Sequence, residues 1–121
     1  MEISEFDAEY TYDYDLDIVN IKVKKDYTYE ESVDLETGVF LDFDKCMFPV
    51  NLEILSASKR IDVEKEFLTN PDGDVKIVIE SDLIQLEVCF KNNDEEYVLK
   101  YCNRHEDNLK IENLKTTFAL V

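Results

Sequence analysis

An alternation of apolar and polar side chains decides the fold of this chain, and it is clearest in the stretch Ile84-Gln85-Leu86-Glu87-Val88-Cys89-Phe90-Lys91. A side-chain period of two is typical of a β-strand that has one face in the core. The residues Asn92-Asn93-Asp94 favour a hairpin turn, because Asn and Asp tolerate a left-handed backbone. The period resumes at Tyr97, Leu99 and Tyr101, which indicates a return strand.

The same alternation predicts strands along most of the chain. The apolar phase changes from even to odd positions at about 14–17, so a turn there joins two strands. The predicted strands cover about residues 5–13, 18–24, 28–35, 39–43, 50–54, 75–79, 84–90 and 97–101. Residues 116–121 are apolar to the end, so we expect them to add to the sheet or to a neighbouring subunit.

One segment, residues 57–69, has a helical pattern. Its apolar residues recur at approximately helical spacing, and Asn70-Pro71 ends it. We expect Ile61, Phe67 and Leu68 to be buried against the first sheet. The following residues, Pro71-Asp72-Gly73-Asp74, predict a strong turn.

These elements predict an α+β fold. We expect a mainly antiparallel sheet of about 7–9 strands with one principal helix near residues 57–69. The length of 121 residues fits a single domain over 1–121. In this prediction 1–70 form a β-module plus the helix, and 71–121 form a β-meander extension.

The charge of the chain is strongly negative and unevenly distributed. There are 29 acidic and 13 basic residues, a net charge of -16, and residues 1–44 hold 14 of the acids and three of the bases. Nucleic acids and anionic membranes repel such a polyanion, so we expect neither to be bound directly. An acidic surface attracts a basic protein surface, or it serves solubility alone.

Several kinds of site are excluded by composition. Two glycines do not make a phosphate-binding loop, and a single histidine, His105, does not make a multi-histidine metal site. Cys46, Cys89 and Cys102 form no closely spaced pair, which favours reduced thiols and a cytoplasmic location. The acidic N-terminus and the lack of a long apolar run predict neither a secretory signal nor a membrane span. We therefore predict no cofactor and no metal.

Two segments resemble the signatures of a small prokaryotic family, known as domain of unknown function twenty-two eighty-three. The first is Tyr12-Asp13-Tyr14-Asp15-Leu16-Asp17-Ile18-Val19-Asn20-Ile21, which is similar to the opening signature Y-D-x-E-A-D-x-L-Y-I. The second is Gly38-Val39-Phe40-Leu41-Asp42-Phe43-Asp44 followed by Leu52-Glu53-Ile54-Leu55-Ser56-Ala57-Ser58. It is similar to the closing signature G-V-x-x-D-x-D and I-E-I-L-x-A-S.

The resemblance implies a compact antiparallel β-module followed by a helix, and it implies no established activity. The second half of the chain is similar to extended versions of the family associated with methanogenic archaea. Some members of the family look like partners of small toxin-like proteins.

The most concentrated acidic motif is Asp13-x-Asp15-x-Asp17. A calcium loop of the EF-hand type needs glycine and glutamate at later positions where this chain has Ile18 and Lys24, so that motif fails. The three acids either shape and solubilise a turn or form part of an acidic docking surface. The tyrosines on either side of them, at even positions, favour the packed face of a strand.

Three further acids lie on predicted strands. Asp42 and Asp44 share the face opposite Leu41 and Phe43, and Glu53 lies between two apolar neighbours. A pair of carboxylates is able to act as acid and base, but carboxylates are abundant in this chain. The candidate acidic interaction face is therefore the set Asp13, Asp15, Asp17, Asp42, Asp44 and Glu53, with no residue assigned to catalysis.

These observations predict a non-enzymatic, acidic protein-interaction module that binds a protein partner or associates with itself as a homo-oligomer. One alternative is an antitoxin-like regulator that neutralises a basic protein by polyanion mimicry. Another is a small carboxylate-dependent or metal-dependent enzyme, which would need several carboxylates in one concave pocket.

Overall fold

The computed structural model describes residues 3–105 and 111–121, and 64% of these residues lie in β-strands. The described residues form nine strands, within the expected range. The strands are β1 Ile3–Asp13, β2 Ile18–Val23, β3 Tyr29–Glu36, β4 Val39–Asp44, β5 Pro49–Ile54, β6 Asp72–Glu80, β7 Leu83–Asn92, β8 Glu95–Arg104 and β9 Leu114–Leu120.

The nine strands form one sheet that curls into a nearly closed barrel, in the order β3-β4-β5-β2-β1-β9-β6-β7-β8. Neighbouring strands are antiparallel, except that β1 and β9 are parallel. The outermost strands β3 and β8 come close to each other, and the Asn103 side-chain amide donates a hydrogen bond to the Asp34 carbonyl at 2.8 Å. Side chains therefore bridge the gap between the two edges.

The C-terminal segment joins the two parts of the sheet. Phe118 of β9 lies opposite Phe6 of β1 on one side and Val75 of β6 on the other. The expectation that residues 116–121 add to the sheet is confirmed. Strands β6, β7 and β8 follow one another as a meander, whereas β9 leaves that order to pair with β1.

The inward-facing side chains form one hydrophobic core, and β7 shows the pattern most clearly. Ile84, Leu86 and Val88 are buried, whereas Gln85 between the first two is exposed. Fully burying one such side chain contributes about 1.5–3 kcal/mol. The period-two pattern read from the sequence therefore places the core correctly.

The predicted α+β class is wrong, because the described residues contain no helix of seven or more residues. Residues 57–69 form instead a short α-helix, α1 (Ala57–Ile61), and a 3₁₀ helix (Lys65–Thr69). Asp62 ends α1 with a left-handed backbone at φ 63°. A five-residue helix gains little from its own hydrogen bonds, so burial of individual side chains determines the path of the chain.

The same segment packs across an end of the barrel and not on a face of the first sheet. Ile61, Phe67 and Leu68 are buried, as predicted. The Phe67 ring meets Tyr97 of β8 edge to face at 5.0 Å, and the Tyr10 hydroxyl of β1 donates to the Leu68 carbonyl at 2.7 Å. None of the helices in residues 3–105 and 111–121 is long and apolar enough to span a membrane.

The turn predicted at Pro71-Asp72-Gly73-Asp74 is also wrong, since β6 begins at Asp72. Gly73 lies opposite Phe90 in the ladder between β6 and β7. Its φ of 153° is a backbone conformation that side chains rarely adopt, and a Cβ atom there would collide with the Cys89 carbonyl oxygen. Glycine here permits a close approach of two strands and does not mark a turn.

We expect Gly73→Ala to lower the free energy of unfolding by about 2–4 kcal/mol, because a backbone carbonyl cannot move aside cheaply. Urea denaturation followed by circular dichroism measures the change. The exposed neighbour Asp72→Ala is the control and should stay within about 0.5 kcal/mol of the wild type. Equal stabilities for the two variants would contradict the close approach.

Candidate functional site

Asp17 stands just before β2 and is buried, with 7% of its surface exposed. Its Oδ1 accepts hydrogen bonds from the Tyr12 hydroxyl at 2.6 Å and from the Ser58 backbone N–H at 3.0 Å. Its Oδ2 accepts a bond from the Ser58 hydroxyl at 2.7 Å, and its carbonyl accepts the Ala57 N–H at 3.0 Å. These four bonds tie the first hairpin to the start of α1.

The hydrogen bonds keep the Asp17 carboxylate ionised. Burial raises the pKa of this carboxyl, but the bonds donated by Tyr12 and Ser58 outweigh burial, so its pKa lies below the usual value. Burial and the bond to Asp17 raise the pKa of the Tyr12 hydroxyl. Asp17 is therefore a structural residue, and its place in the predicted exposed acidic face is corrected.

The tyrosines of β1 hold the end segment of the barrel. Tyr10 and Tyr12 are partly buried against the core, which fits the expectation of a packed strand face. Tyr14 continues the row beyond β1, and its hydroxyl donates to Glu66 Oε1 at 2.7 Å. The three hydroxyls thus contact different parts of residues 17–68 and position α1 and the 3₁₀ helix over the barrel end.

The other two acids of the first motif lie at the tip of the hairpin. Asp13 Oδ1 accepts a hydrogen bond from the Leu16 N–H at 2.9 Å, which shapes the turn. Asp13 and Asp15 are both exposed. Leu16 between the last two aspartates of the motif is 66% exposed.

The strand acids divide into two kinds. Asp44 Oδ1 accepts backbone N–H groups of Cys46 at 2.9 Å and Phe48 at 3.0 Å, so Asp44 shapes the turn between β4 and β5. Asp42 and Glu53 lie on the outer face of the sheet and are half-buried. The structure therefore brings Asp42 and Glu53 to one surface, apart from the hairpin tip.

Asn51 lies beside Asp42 on this outer face and is 8% exposed. Its Nδ2 donates to Asp42 Oδ2 at 2.9 Å, whereas its Oδ1 has no hydrogen-bond partner among the described residues. Lys22, opposite Asn51 on β2, places its ammonium 5.5 Å from the centre of the Tyr27 ring. Burial, and then the Asp42 charge, raise the pKa of the Tyr27 hydroxyl, so Tyr27 covers this part of the face.

Metal-binding and thiol chemistry find little support in the geometry. Across residues 3–105 and 111–121, no group of three or more His, Cys, Asp or Glu side chains is placed to hold a metal ion. Cys46, Cys89 and Cys102 are all free thiols. Burial and the hydrogen bond to Glu96 raise the pKa of Cys89, which disfavours the reactive thiolate.

The sequence assigned no role to three residues: Ser58, which binds the buried Asp17, Asn51, which binds Asp42, and Phe40, which lies opposite Glu53 on the outer face of the sheet. A signal exists for Asp17, which shares the odd phase of the buried Val19 and Ile21. Alternation gives no signal for Ser58, because its contact with Asp17 joins residues 41 positions apart, but Ser58 matches the last position of the closing signature. Asp17 was grouped with Asp13 and Asp15 as an exposed acid because the three share one acidic motif, although Asp17 is buried.

We expect Asp17→Asn to lower the free energy of unfolding at pH 7 by about 2–3 kcal/mol, because a neutral amide accepts the three bonds less well. Asparagine tolerates the left-handed φ of 57° at this position, so the backbone is kept. Urea denaturation is the measurement. The exposed Asp15→Asn is the matched control and should stay within about 0.5 kcal/mol of the wild type.

The Asp17 carboxyl makes the free energy of unfolding depend on pH. Its pKa is lower in the folded than in the unfolded chain, so its contribution is complete above the ordinary aspartate pKa of about 3.9. The contribution is lost as pH falls through the folded pKa. The wild type should therefore lose more stability than Asp17→Asn between about pH 5 and about pH 2. If the free energies of unfolding of the wild type and Asp17→Asn changed in parallel with pH, Asp17 would not be the group responsible for the pH dependence.

Comparison with known proteins gives a match to a family model. No curated protein and no solved structure matches the chain. The matched family model covers a little under half of the 121 residues and stops where Ser58 meets Asp17. Residues 9–58 match the family described as "Protein of unknown function (DUF2283)", which confirms the resemblance seen in the sequence.

Proposed function

We propose that this protein is an interaction module that binds a basic surface of a partner protein through the outer face of β3, β4 and β5. We call this surface the Phe40 face and define it by Asp34, Phe40, Asp42, Asn51 and Glu53. The observation that supports the proposal is the position of Phe40, a half-buried aromatic ring on the outer side of the sheet among three carboxylates.

The register of the strands fixes the arrangement. Phe40 lies directly opposite Asp34 on β3 and opposite Glu53 on β5. Asp42, two residues along the same strand, points to the same side and lies opposite Asn51. Directly opposite residues have Cβ atoms about 4.5–5.5 Å apart, so the carboxylates surround the ring closely.

This arrangement has the anatomy of a small protein interface. An apolar or aromatic centre with a polar rim is typical of such surfaces. Lysine and arginine fit the Phe40 face, because their aliphatic stems pack on an aromatic ring while their charged ends meet carboxylates. On the neighbouring strand Lys22 is directed to Tyr27, which leaves the carboxylates for an external cation.

Asn51 adds a polar acceptor to the same face. Its unpartnered, buried Oδ1 costs free energy in the unbound protein. A donor group of a partner that displaces Tyr27 would satisfy this oxygen. The cost of the buried acceptor would then be offset only in the complex.

The alternative role as a neutraliser of a basic nucleic-acid-binding or toxin-like protein uses the same carboxylates. It differs in one expectation, which is that a polyanion competes with this protein for the partner. The Phe40 face supports recognition of a basic surface in both cases.

The proposal is tested with a labelled peptide rich in lysine and leucine, measured by fluorescence anisotropy at about 0.15 M salt, where distant charges are screened. The double variant Asp42→Asn with Glu53→Gln should weaken binding roughly five- to tenfold, since each exposed ion pair contributes up to about 1 kcal/mol. Phe40→Ser should weaken it further, because the apolar contact is lost.

The matched control is Glu80→Gln with Asp94→Asn, which also removes two negative charges, from exposed positions outside the Phe40 face. We expect this control to change the affinity by less than about twofold. Equal losses in the two double variants would mean that net charge alone attracts the peptide, and the proposal would fail.

A further inference from the structure

The tip of the first hairpin exposes an apolar side chain where turns are ordinarily polar. We call residues 13–17 the hairpin tip. Leu16 is 66% exposed and Tyr14 is 45% exposed. Gly, Pro, Asn, Asp and Ser dominate tight turns, and Asp13 already supplies the side-chain acceptor that this turn needs. Leu16 contributes its backbone N–H to the turn, and its side chain makes none of the hydrogen bonds that form it.

The surroundings of the tip are acidic. Asp13 and Asp15 are exposed on either side of Tyr14. Glu66, Glu64 and Asp15 all contribute to the raised pKa of the Tyr14 hydroxyl, so these three carboxylates lie near the ring. One cation is close, since the Lys65 ammonium donates to the Tyr14 carbonyl at 2.9 Å. The hairpin tip therefore presents a small exposed apolar surface surrounded by carboxylates.

A surface of the opposite character lies on the outer side of β6, β7 and β8. It is an open hollow of about 400 Å³, which we call the lysine hollow. The residues that line it include Lys76, Val78, Gln85, Lys100 and Cys102. The volume is at the lower end of the range for ligand pockets and is ample for one leucine side chain and its neighbours.

Strand register gives the lysine hollow an apolar floor and a basic rim. Val78, Gln85 and Cys102 lie side by side across three strands. The row beside them is Lys76, Glu87 and Lys100, in which Glu87 lies 4.0 Å from the Lys100 ammonium. Outside the lining of the hollow, Lys115 of β9 lies opposite Val78, and Glu80 follows two residues along β6.

Basic residues are therefore locally in excess on a chain that is acidic elsewhere. Two lysines, Lys76 and Lys100, and one glutamate, Glu87, line the hollow, although the whole chain has 13 basic and 29 acidic residues. Such a site attracts an apolar group that carries negative charge beside it. The hairpin tip has this composition.

We propose that the hairpin tip of one copy of this chain docks into the lysine hollow of a second copy, with Leu16 on the Val78 floor and Asp15 facing Lys76. The contact joins two different patches, so it closes a reciprocal dimer or continues from copy to copy. The inference goes beyond the proposed function, because it uses neither Phe40 nor the carboxylates around it.

Self-association is measured by sedimentation velocity over a range of protein concentrations at about 0.15 M salt, where the Debye length is about 8 Å and the repulsion between two acidic chains is largely screened. We expect concentration-dependent association. Leu16→Ser should weaken it at least about tenfold, since a buried leucine is lost from the contact. Val121→Ser is the matched control, because Val121 is also exposed, at 64%, and it should have no effect.

A charge swap tests the pairing itself. Asp15→Lys and Lys76→Glu should each weaken self-association, and an equimolar mixture of the two variants should associate again, since every tip then meets a hollow of opposite charge. The controls Asp94→Lys and Lys45→Glu change the same charges at exposed positions elsewhere. They should neither weaken association nor rescue it.

The proposal is overturned by a chain that stays monomeric over the whole concentration range, by equal effects of Leu16→Ser and Val121→Ser, or by a swap mixture that does not associate. Association that these variants leave unchanged would mean that another face pairs. Peptide binding at the Phe40 face is measured on the same variants and should not change. The two proposals therefore fail separately.

Discussion

A buried, ionised carboxylate, that of Asp17, joins the first hairpin of this fold to the start of α1. A buried charge is tolerated only when hydrogen bonds replace its lost water, and Asp17 receives these bonds from Tyr12 and Ser58. The donors come from β1 and from α1, so the carboxylate fixes the place where the chain leaves β5 and crosses the barrel end. The family match of residues 9–58 contains the acceptor and both donors: Tyr12 and Asp17 lie in the first signature segment, and Ser58 ends the second.

How much of the fold the sequence predicts depends on the range of the interaction. Alternation identified the strands because each strand decides its own inner face, and Ile84 and Gln85 show this directly. The prediction of one helix over residues 57–69 was wrong. Ile61 and Leu68 have helical spacing, but the chain bends at Asp62 between them, and both side chains are buried. The residues Pro71-Asp72-Gly73-Asp74 have the composition of a turn, but the glycine is required because β7 approaches the backbone closely at Gly73.

For the candidate sites too, local patterns were visible in the sequence and long-range contacts were not. Asp13, Asp42 and Glu53 were found because a polar residue in the outward phase of a strand or in a turn is visible in the sequence. That Asp42 and Glu53 share a surface with Phe40 follows from the antiparallel pairing of β4 with β5. The lysine hollow was not predicted, because it depends on the exact register of β6, β7 and β8, which sets Lys76, Glu87 and Lys100 in one row across the sheet.

The edges of the sheet explain why association should use side-chain surfaces. An unpaired strand edge invites another strand, and charged side chains oppose this. β3 carries four acids, Glu30, Glu31, Asp34 and Glu36, and its neighbourhood is already bridged to other parts of the chain. Arg60 pairs with Glu36 at 2.7 Å and donates to the Thr37 and Leu55 carbonyls, while Asn103 donates to Asp34. The apolar C-terminal strand is enclosed between β1 and β6. A partner of the kind we propose would therefore meet an outer face or a hairpin tip, where shape and charge select it, and not an open backbone edge, which would accept many sequences.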